Sequence, residues 1–194
     1  VRRSWERFLN PEVTRRRLLA AAVYIASFES LKECVVDRIR DFYCIGIKGS
    51  RYVISPKYRS EVLSRNRSPV YASLAWLCEM GAIDESDIAT FDRLKECRNK
   101  LAHELLSSVV SADLPADLDE LFRDLMDLLS KIEVWWVLNV ELPTSPAPPE
   151  TPIDERDVLP GSVLILRILH DIALGDDVES RAYYDLWRRL VDDQ

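Results

Sequence analysis

The sequence predicts an all-α protein, and three observations lead to this fold class. Glycine is scarce, at 5 of 194 residues, while Leu, Arg, Glu and Ala are abundant. Several long segments repeat apolar residues at helical spacing, and no segment alternates convincingly as a strand does. Hydrophobic residues make up 47% and charged residues 30% of the chain, an ordinary globular balance. We therefore expect a helical bundle with a C-terminal helical appendage.

The first predicted helix spans residues 11–43. Asn10 has the side chain of an N-cap, and Pro11 suits the first turn. Apolar residues recur at helical spacing over the whole segment and make a wide apolar face. Glycines at 46 and 49 end this pattern. We interpret the following stretch, residues 48–67, as loop-like with a short helix after Pro56.

Three further helices are predicted before a proline-rich segment. Gly81 stops one of them, and Asp84 with Asp87 forms an imperfect capping box at the start of the next. Prolines between residues 143 and 152 exclude a regular helix and favour an extended spacer. The predicted helices span residues 69–80, 85–107, 116–140, 161–174 and 178–191. The predicted divisions of the chain are a bundle (1–142), a spacer (143–153) and a C-terminal helical segment (154–194).

Several classes of function lack their sequence signals. No run of about 18 apolar residues is present, as a membrane span would need, and the N-terminus does not resemble a secretory signal. Glycine-rich nucleotide loops and a Gly-x-Ser-x-Gly elbow are missing. The four cysteines form no C-x-x-C pair and there are only two histidines, which argues against a structural zinc site. We expect a cytoplasmic protein with buried free thiols, no metal and no cofactor.

The charge is unevenly distributed along the chain. The net charge is −7, but residues 141–194 hold twelve acids and five arginines, so the first 140 residues are neutral. Residues 48–67 contain only Glu61 as an acid, against six basic side chains. Local field matters more than total charge at short range, so this stretch could hold RNA phosphates. A solvated basic loop is the equally good alternative. The six residues are Lys48, Arg51, Lys57, Arg59, Arg65 and Arg67.

The third helix carries an unusual placement of polar side chains. Arg98 falls within its apolar stripe, where a guanidinium needs a partner or an interface. Asn99 and His103, four residues apart, share a different face. On a straight helix Arg98 and His103 diverge by about 140°. Two copies related by a two-fold axis could nevertheless bring two such pairs into one cleft, so we expect a homodimer.

The segment Arg98-Asn-Lys-Leu-Ala-His103 resembles the R-x4-6-H signature of the HEPN superfamily. The preceding helix-Gly-helix run, residues 77–104, and Phe28-Glu-Ser-Leu-Lys32 on the first helix are also similar to that superfamily. The resemblance covers about residues 11–140. It implies a bundle of four to five helices that dimerises through the motif helices, and many members are metal-independent ribonucleases.

The resemblance implies catalytic roles for three residues. Imidazoles titrate near neutral pH, so His103 could serve as general base or acid toward the RNA 2′-OH. Arg98 could brace charge on the phosphate, and Asn99 could orient either group. We expect an endoribonuclease of toxin or phage-defence type, with RNA as substrate and a protein antitoxin or regulator as a possible partner. Leu105 departs from members with a tyrosine two residues after the histidine, which bears on regulation by a nucleotidyltransferase antitoxin.

Alternatives stand beside this hypothesis. Arg98 could pair within the chain with an acid on the first helix, such as Glu29 or Glu33. The Trp135-Trp136 pair fits a buried anchor better than a base-stacking platform, and His170 beside an aspartate has no partner that indicates catalysis. The overall plan is also similar to the mannitol-operon repressor family, which would make the chain a non-catalytic interaction or regulatory protein.

Overall fold

The computed structural model describes residues 2–110, 114–146 and 153–192. The fold is all-α, as the sequence predicts, and the described residues also include a two-stranded hairpin that the sequence analysis did not predict. The helices are α1 (Arg2–Leu9), α2 (Pro11–Phe42), α3 (Pro69–Glu79), α4 (Glu85–His103), α5 (Leu105–Val110), α6 (Leu118–Trp136), α7 (Leu142–Thr144), α8 (Gly161–Leu174) and α9 (Glu179–Asp192). The strands are β1 (Cys44–Lys48) and β2 (Arg51–Ile54).

Helix α2 is the longest element and forms where its caps and apolar face predict it. The Asn10 Oδ1 accepts from the backbone N–H groups of Glu12 (3.0 Å) and Val13 (3.4 Å), which satisfies donors that the first turn leaves open. Eight of its residues are buried along the predicted face: Ala21, Tyr24, Ser27, Phe28, Leu31, Cys34, Val35 and Ile39.

The predicted loop after α2 is wrong in part, because residues 44–54 form a β-hairpin. The antiparallel pair closes through Gly49 and Ser50, with Lys48 opposite Arg51. Gly49 has φ of +64°, a left-handed conformation that a tight hairpin turn requires. The strands are short, irregular at Gly46 and mostly exposed on both faces, so they lack the alternation that marks a half-buried strand. A π-helical turn (Tyr58–Val62) and a 3₁₀ turn (Leu63–Arg65) follow, near the predicted short helix.

Helices α2, α4 and α6 pack side by side around the core. Tyr24 of α2 donates to the backbone oxygen of Leu94 at 3.2 Å, and the rings of Phe28 and Phe91 lie 5.5 Å apart. Helix α4 therefore runs antiparallel to α2, since its later residue contacts the earlier residue of α2. Lys131 bonds both Asp84 and Asp87, which sets α6 antiparallel to α4.

Helix α4 begins at the predicted cap and ends earlier than predicted. The Asp84 side chain accepts from the N–H groups of Ser86 and Asp87, and the Asp87 carboxylate accepts from the Asp84 N–H, so the capping box is complete. The expected helix to residue 107 breaks at Glu104, which has φ of −111° and ψ of 16°. No glycine or proline marks this break, so the pattern gave no signal for it.

Beyond α6 the chain departs from the predicted spacer and then returns to the bundle. Helix α6 continues through a π-helical turn (Val137–Glu141), and the short helix α7 occupies the start of the predicted extended segment. The rest of that segment, residues 147–152, lies outside the described residues. Helix α8 then packs against α2 and α6 and buries Val163 and Leu166, while α9 packs on α8. The three-part division stays a prediction.

An aromatic cluster closes the end of the bundle where α2 and α6 finish. Trp136 is 2% exposed, and its ring stacks on Trp76 with centroids 6.0 Å apart. Phe42 and Trp135 contact the same cluster. The predicted role of the Trp135-Trp136 pair as an anchor in the bundle is confirmed for Trp136.

Candidate active site at the end of α4

The motif residues lie on a helix whose apolar stripe is fixed in the core. Phe91, Leu94, Cys97 and Leu101 are buried against the neighbouring helices. Burial of the Tyr24 phenol, which reaches across to this stripe, raises its pKa well above the ordinary value, so it remains a neutral donor. This packing fixes the rotation of α4 about its axis and hence the directions of its polar side chains.

Arg98 is held at the edge of the core by two neighbours. Its Nη2 donates to the Glu29 carboxylate of α2, and its Nη1 donates to the Asn99 Oδ1 at 3.2 Å. The Arg98 side chain stays 29% exposed, so the guanidinium can still be reached from outside. Its Nε is buried without an acceptor among the described residues, which leaves one strong donor unused.

Glu29 is a shared acceptor for two cations. The Lys32 Nζ lies 2.9 Å from the Glu29 Oε2, while Arg98 bonds the other carboxylate oxygen. These hydrogen bonds, from Lys32 first and then Arg98, lower the pKa of Glu29 against the opposing effect of burial. The sequence-based alternative, an ion pair between Arg98 and the first helix, is therefore present and involves Glu29.

His103 is the last residue of α4 and is exposed. No hydrogen bond joins it to Arg98 among the described residues, in keeping with the divergence of about 140° along a straight helix. Asn99, half-buried, lies four residues before it on the same face and contacts Arg98. One chain thus brings Arg98 and Asn99 together and leaves His103 free at the surface.

The acidic residues near the motif differ in whether their carboxylates have a hydrogen-bond or ion-pair partner. Asp92 accepts a hydrogen bond from the Tyr71 hydroxyl, which itself accepts from Lys95 at 3.1 Å. The carboxylates of Glu96 and Glu104 are exposed and form no ion pair with another described residue. These two carboxylates would repel a phosphate that approached along this face.

The first four residues of the basic stretch lie at the other end of the bundle from His103. The hairpin with Lys48 and Arg51 follows the C-terminus of α2, and Ser55 donates to the Tyr43 carbonyl at 2.9 Å, which holds residues 55–59 there too. Because α4 runs antiparallel to α2, His103 lies toward the N-terminal half of α2. The 18 residues from Tyr24 to Phe42 rise about 27 Å along the axis. The structure therefore does not bring the first four basic residues beside the motif.

Within the basic stretch only one side chain is engaged in an ion pair among the described residues. Arg65 contacts Glu79 of α3 at 2.7 Å. The side chains of Lys48, Arg51, Lys57, Arg59 and Arg67 are exposed, without an ion pair to a described residue. Their assignment to RNA binding stays a prediction, and the stretch is an exposed basic surface spread over a hairpin and two turns.

Metal ligation finds no candidate cluster in residues 2–110, 114–146 and 153–192, where no three His, Cys, Asp or Glu side chains converge. The four cysteines are free thiols, and burial raises the pKa of Cys34 to about 11, which makes it a poor nucleophile.

Across the part of the chain that the structure describes, no helix combines the length and apolar character needed to cross a membrane.

Sequence reasoning missed a cavity that three helices enclose. It is lined by residues of α2, α6 and α8, among them His170, whose ring stacks on Phe122 with centroids 4.4 Å apart. Arg167 precedes His170 by one helical turn. This i, i+3 spacing is the one feature of the sequence that could have indicated that the two side chains share a face of α8. Nothing in the sequence indicated that arginines from α2 and α6 would face it.

Comparisons with protein-family models, with curated proteins and with solved structures find no match for this chain. The class that the structure itself defines is an all-α bundle with an arginine-asparagine pair at the surface of one helix. Its resemblance to the HEPN superfamily remains a prediction.

Proposed function

We propose that this chain is a metal-independent RNA endonuclease of HEPN type that acts as a homodimer. The observation that carries the proposal is the state of Arg98. Glu29 and Asn99 hold its guanidinium in place, and the side chain stays 29% exposed. Each terminal nitrogen has a second N–H group that could donate to a phosphate or a partner chain. A role as a toxin or phage-defence effector, controlled by a protein antitoxin, belongs to the same proposal.

The chemistry uses the nucleophile that RNA carries. The 2′-OH attacks the adjacent phosphorus, the bond to the 5′ oxygen breaks, and the products are a 2′,3′-cyclic phosphate and a 5′-OH. One His103 takes the proton from the 2′-OH, and a protonated His103 gives a proton to the leaving oxygen. Arg98 donates to the phosphate oxygens as their charge grows, and Asn99 keeps the guanidinium in place.

The dimer is part of the proposal because the side chains of Arg98 and His103 do not converge within one chain. Arg98 points toward Glu29 of α2, and His103 leaves α4 in another direction. A two-fold axis near the exposed end of α4 would place a second His103 beside the first. Leu106 of α5, 78% exposed beside this end, supplies apolar surface for such a contact.

The test is cleavage of a mixed RNA pool in the presence of a chelator. Wild type should cleave and leave 2′,3′-cyclic phosphate ends, and His103→Ala should lower the rate by about 10²–10⁴, the usual contribution of general acid–base catalysis. Arg93→Ala is the control, because Arg93 lies on the same helix and pairs with Asp124 at 2.8 Å. Equal cleavage by wild type and His103→Ala, with folding checked by circular dichroism, would reject the proposal.

Mixed dimers separate shared sites from independent ones. Arg98→Ala and His103→Ala chains, each carrying a different tag, are purified together as a heterodimer. If a site takes Arg98 from one protomer and His103 from its partner, one intact site remains and activity returns. If activity stays at the level of the single variants, either each protomer supplies both residues or one site needs both His103 side chains. A mass of one chain, 22.4 kDa, for the active species would exclude the dimer.

A second candidate is a non-catalytic interaction protein, similar to the mannitol-operon repressor family. The observation that favours it is α9, where Tyr184, Trp187, Leu190 and Val191 are all about half exposed or more and recur at helical spacing. Helix α9 packs on α8 and leaves this face open among the described residues. Exposed apolar stripes of this kind favour protein contacts.

The two candidates give different results in one set of measurements. An interaction protein should show no RNA cleavage, and Trp187→Ser should change its self-association, measured by light scattering, without a loss of helix content. Ser180→Ala on the same helix is the control. Cleavage that depends on His103, with self-association unaffected by Trp187→Ser, would contradict this second candidate.

A further inference from the structure

A cavity of about 680 Å³ lies between the N-terminal half of α2, the first half of α6, and α8. Its size is within the range of small-molecule sites. None of Arg98, Asn99 and His103 lines it. The cavity is thus a separate place in the fold from the motif.

Three arginines reach this cavity from three different helices: Arg16 from α2, Arg123 from α6 and Arg167 from α8. Arg16 and Arg167 form no ion pair with a described residue. The Arg123 Nε donates weakly to the Asp119 backbone oxygen at 3.4 Å, which leaves both terminal nitrogens for other acceptors. Arg17 lines the cavity as well. In a chain of net charge −7, the arginines from three helices outnumber the two carboxylates of the lining, Asp119 and Asp127, and give the cavity a local positive charge.

The floor and one wall of the cavity are apolar and aromatic. Leu118 and Met126 are buried beneath it. The rings of Phe122 and His170 stack at an interplanar angle of 24° and line the wall together. A flat aromatic ligand could extend this stack and cover the apolar floor, which water covers poorly.

Two carboxylates distinguish among possible anions. Asp119 and Asp127 also line the cavity, and neither forms an ion pair with a described residue. Ionised carboxylates only accept hydrogen bonds, so they need donors on the ligand. A fatty acid offers none and would leave both carboxylates without a donor. A nucleotide offers ring amino groups and ribose hydroxyls as donors, together with a phosphate.

We propose that this cavity binds a nucleoside phosphate. The phosphate lies among Arg16, Arg123 and Arg167, and the base lies over the apolar floor beside the Phe122–His170 stack. Asp119 and Asp127 accept hydrogen bonds from the ribose or the base. The proposal does not depend on ribonuclease activity.

The experiment is calorimetric titration of the full chain with AMP, GMP, CMP and UMP. Adenosine, inorganic phosphate and decanoate are the comparison ligands. We expect at least one nucleotide to bind at micromolar concentration. Adenosine and phosphate should each bind about tenfold or more weakly than that nucleotide, because each lacks half of the recognised groups.

Variants assign binding to the cavity. Arg16→Gln and Arg167→Gln should each weaken binding about tenfold, since each removes a charge-assisted contact. Arg15→Gln is the matched control, because it removes the same charge one residue away, at an exposed position outside the cavity lining. All three positions are exposed, so the substitutions should leave the fold intact. His103→Ala should bind as the wild type does, which separates this site from the motif.

Four outcomes would overturn the proposal. The first is that no nucleotide binds. The second is equal binding by wild type, Arg16→Gln and Arg167→Gln. Phosphate binding as tightly as any nucleotide would reduce the cavity to a simple anion site, and decanoate binding in place of nucleotides would make it a lipid-type pocket.

Discussion

Two regions are candidates for contact with RNA on sequence grounds: the end of α4 and the basic stretch of residues 48–67. They differ in how firmly the structure holds their side chains. Arg98 lies at the edge of the buried face of α4, with Glu29 and Asn99 fixing its guanidinium. The basic side chains mostly extend from a hairpin and turns into solvent. Fixed geometry suits chemistry at one atom, whereas mobile charge suits sequence-independent attraction of a polyanion.

The largest effect should be on stability. Leu101→Ala removes a fully buried side chain from the packed face of α4 and should lower the free energy of unfolding by about 2–5 kcal/mol. Ile47→Ala, on a hairpin side chain that is 69% exposed, should change it by no more than about 0.5 kcal/mol. Chemical denaturation measures both. Similar losses for the two variants would mean that the hairpin is packed in solution.

Activity should separate the two regions next. Arg98→Ala should lower kcat for RNA cleavage by about 10²–10³, as expected when a donor to developing charge is removed. Arg51→Ala should leave kcat near the wild-type value and raise KM by a few-fold, because a phosphate contact far from the reaction contributes only to binding. The reverse pattern, with kcat depending on Arg51, would place the chemistry at the hairpin.

The salt dependence of RNA binding tests the basic stretch as a track. A variant with Lys48, Arg51, Lys57 and Arg59 changed to Gln should reduce the slope of log K against log salt by roughly 0.7 for each RNA phosphate that the variant no longer neutralises. The charge-matched control changes Arg93, Arg156, Arg181 and Arg189 to Gln. If both variants reduce the slope equally, the effect comes from net charge and the track does not exist.

The smallest effect concerns the anchor of Arg98. Glu29→Gln should destabilise the protein by at most about 1 kcal/mol at pH 7, since the pair is about one third exposed. The pKa of Glu29 is lowered in the folded state, so its contribution is present above the ordinary value of 4.5 and is lost as the pH falls below it.

The difference between wild type and Glu29→Gln should therefore shrink on acidification to pH 3. Glu33→Gln, an exposed position on the same helix without an ion pair to a described residue, is the control for removal of a carboxylate from α2. A difference that persists at low pH would mean that packing of the side chain matters more than its charge.

Local signals predicted most helix boundaries. The Asn10 cap with Pro11 and the Asp84 capping box are interactions within three residues, so the sequence alone specifies them. The hairpin was missed because its strands are short and mostly exposed on both faces, without the alternation that burial would impose. The break at Glu104 and the helical turn at Leu142–Thr144 carry no clear local signal.

For the site, the sequence alone determined which residues could do chemistry: an arginine in an apolar stripe, an asparagine beside it and a histidine five positions on. The tertiary structure chose Glu29 over Glu33 as the partner of Arg98 and set the first four basic residues, Lys48 to Arg59, at the far end of the bundle. It also joined arginines from α2, α6 and α8 around one cavity. The physical reason is the separation along the sequence over which each interaction acts. Helical spacing and caps involve residues within about one turn, whereas ion pairs and cavities depend on how helices distant in sequence pack together.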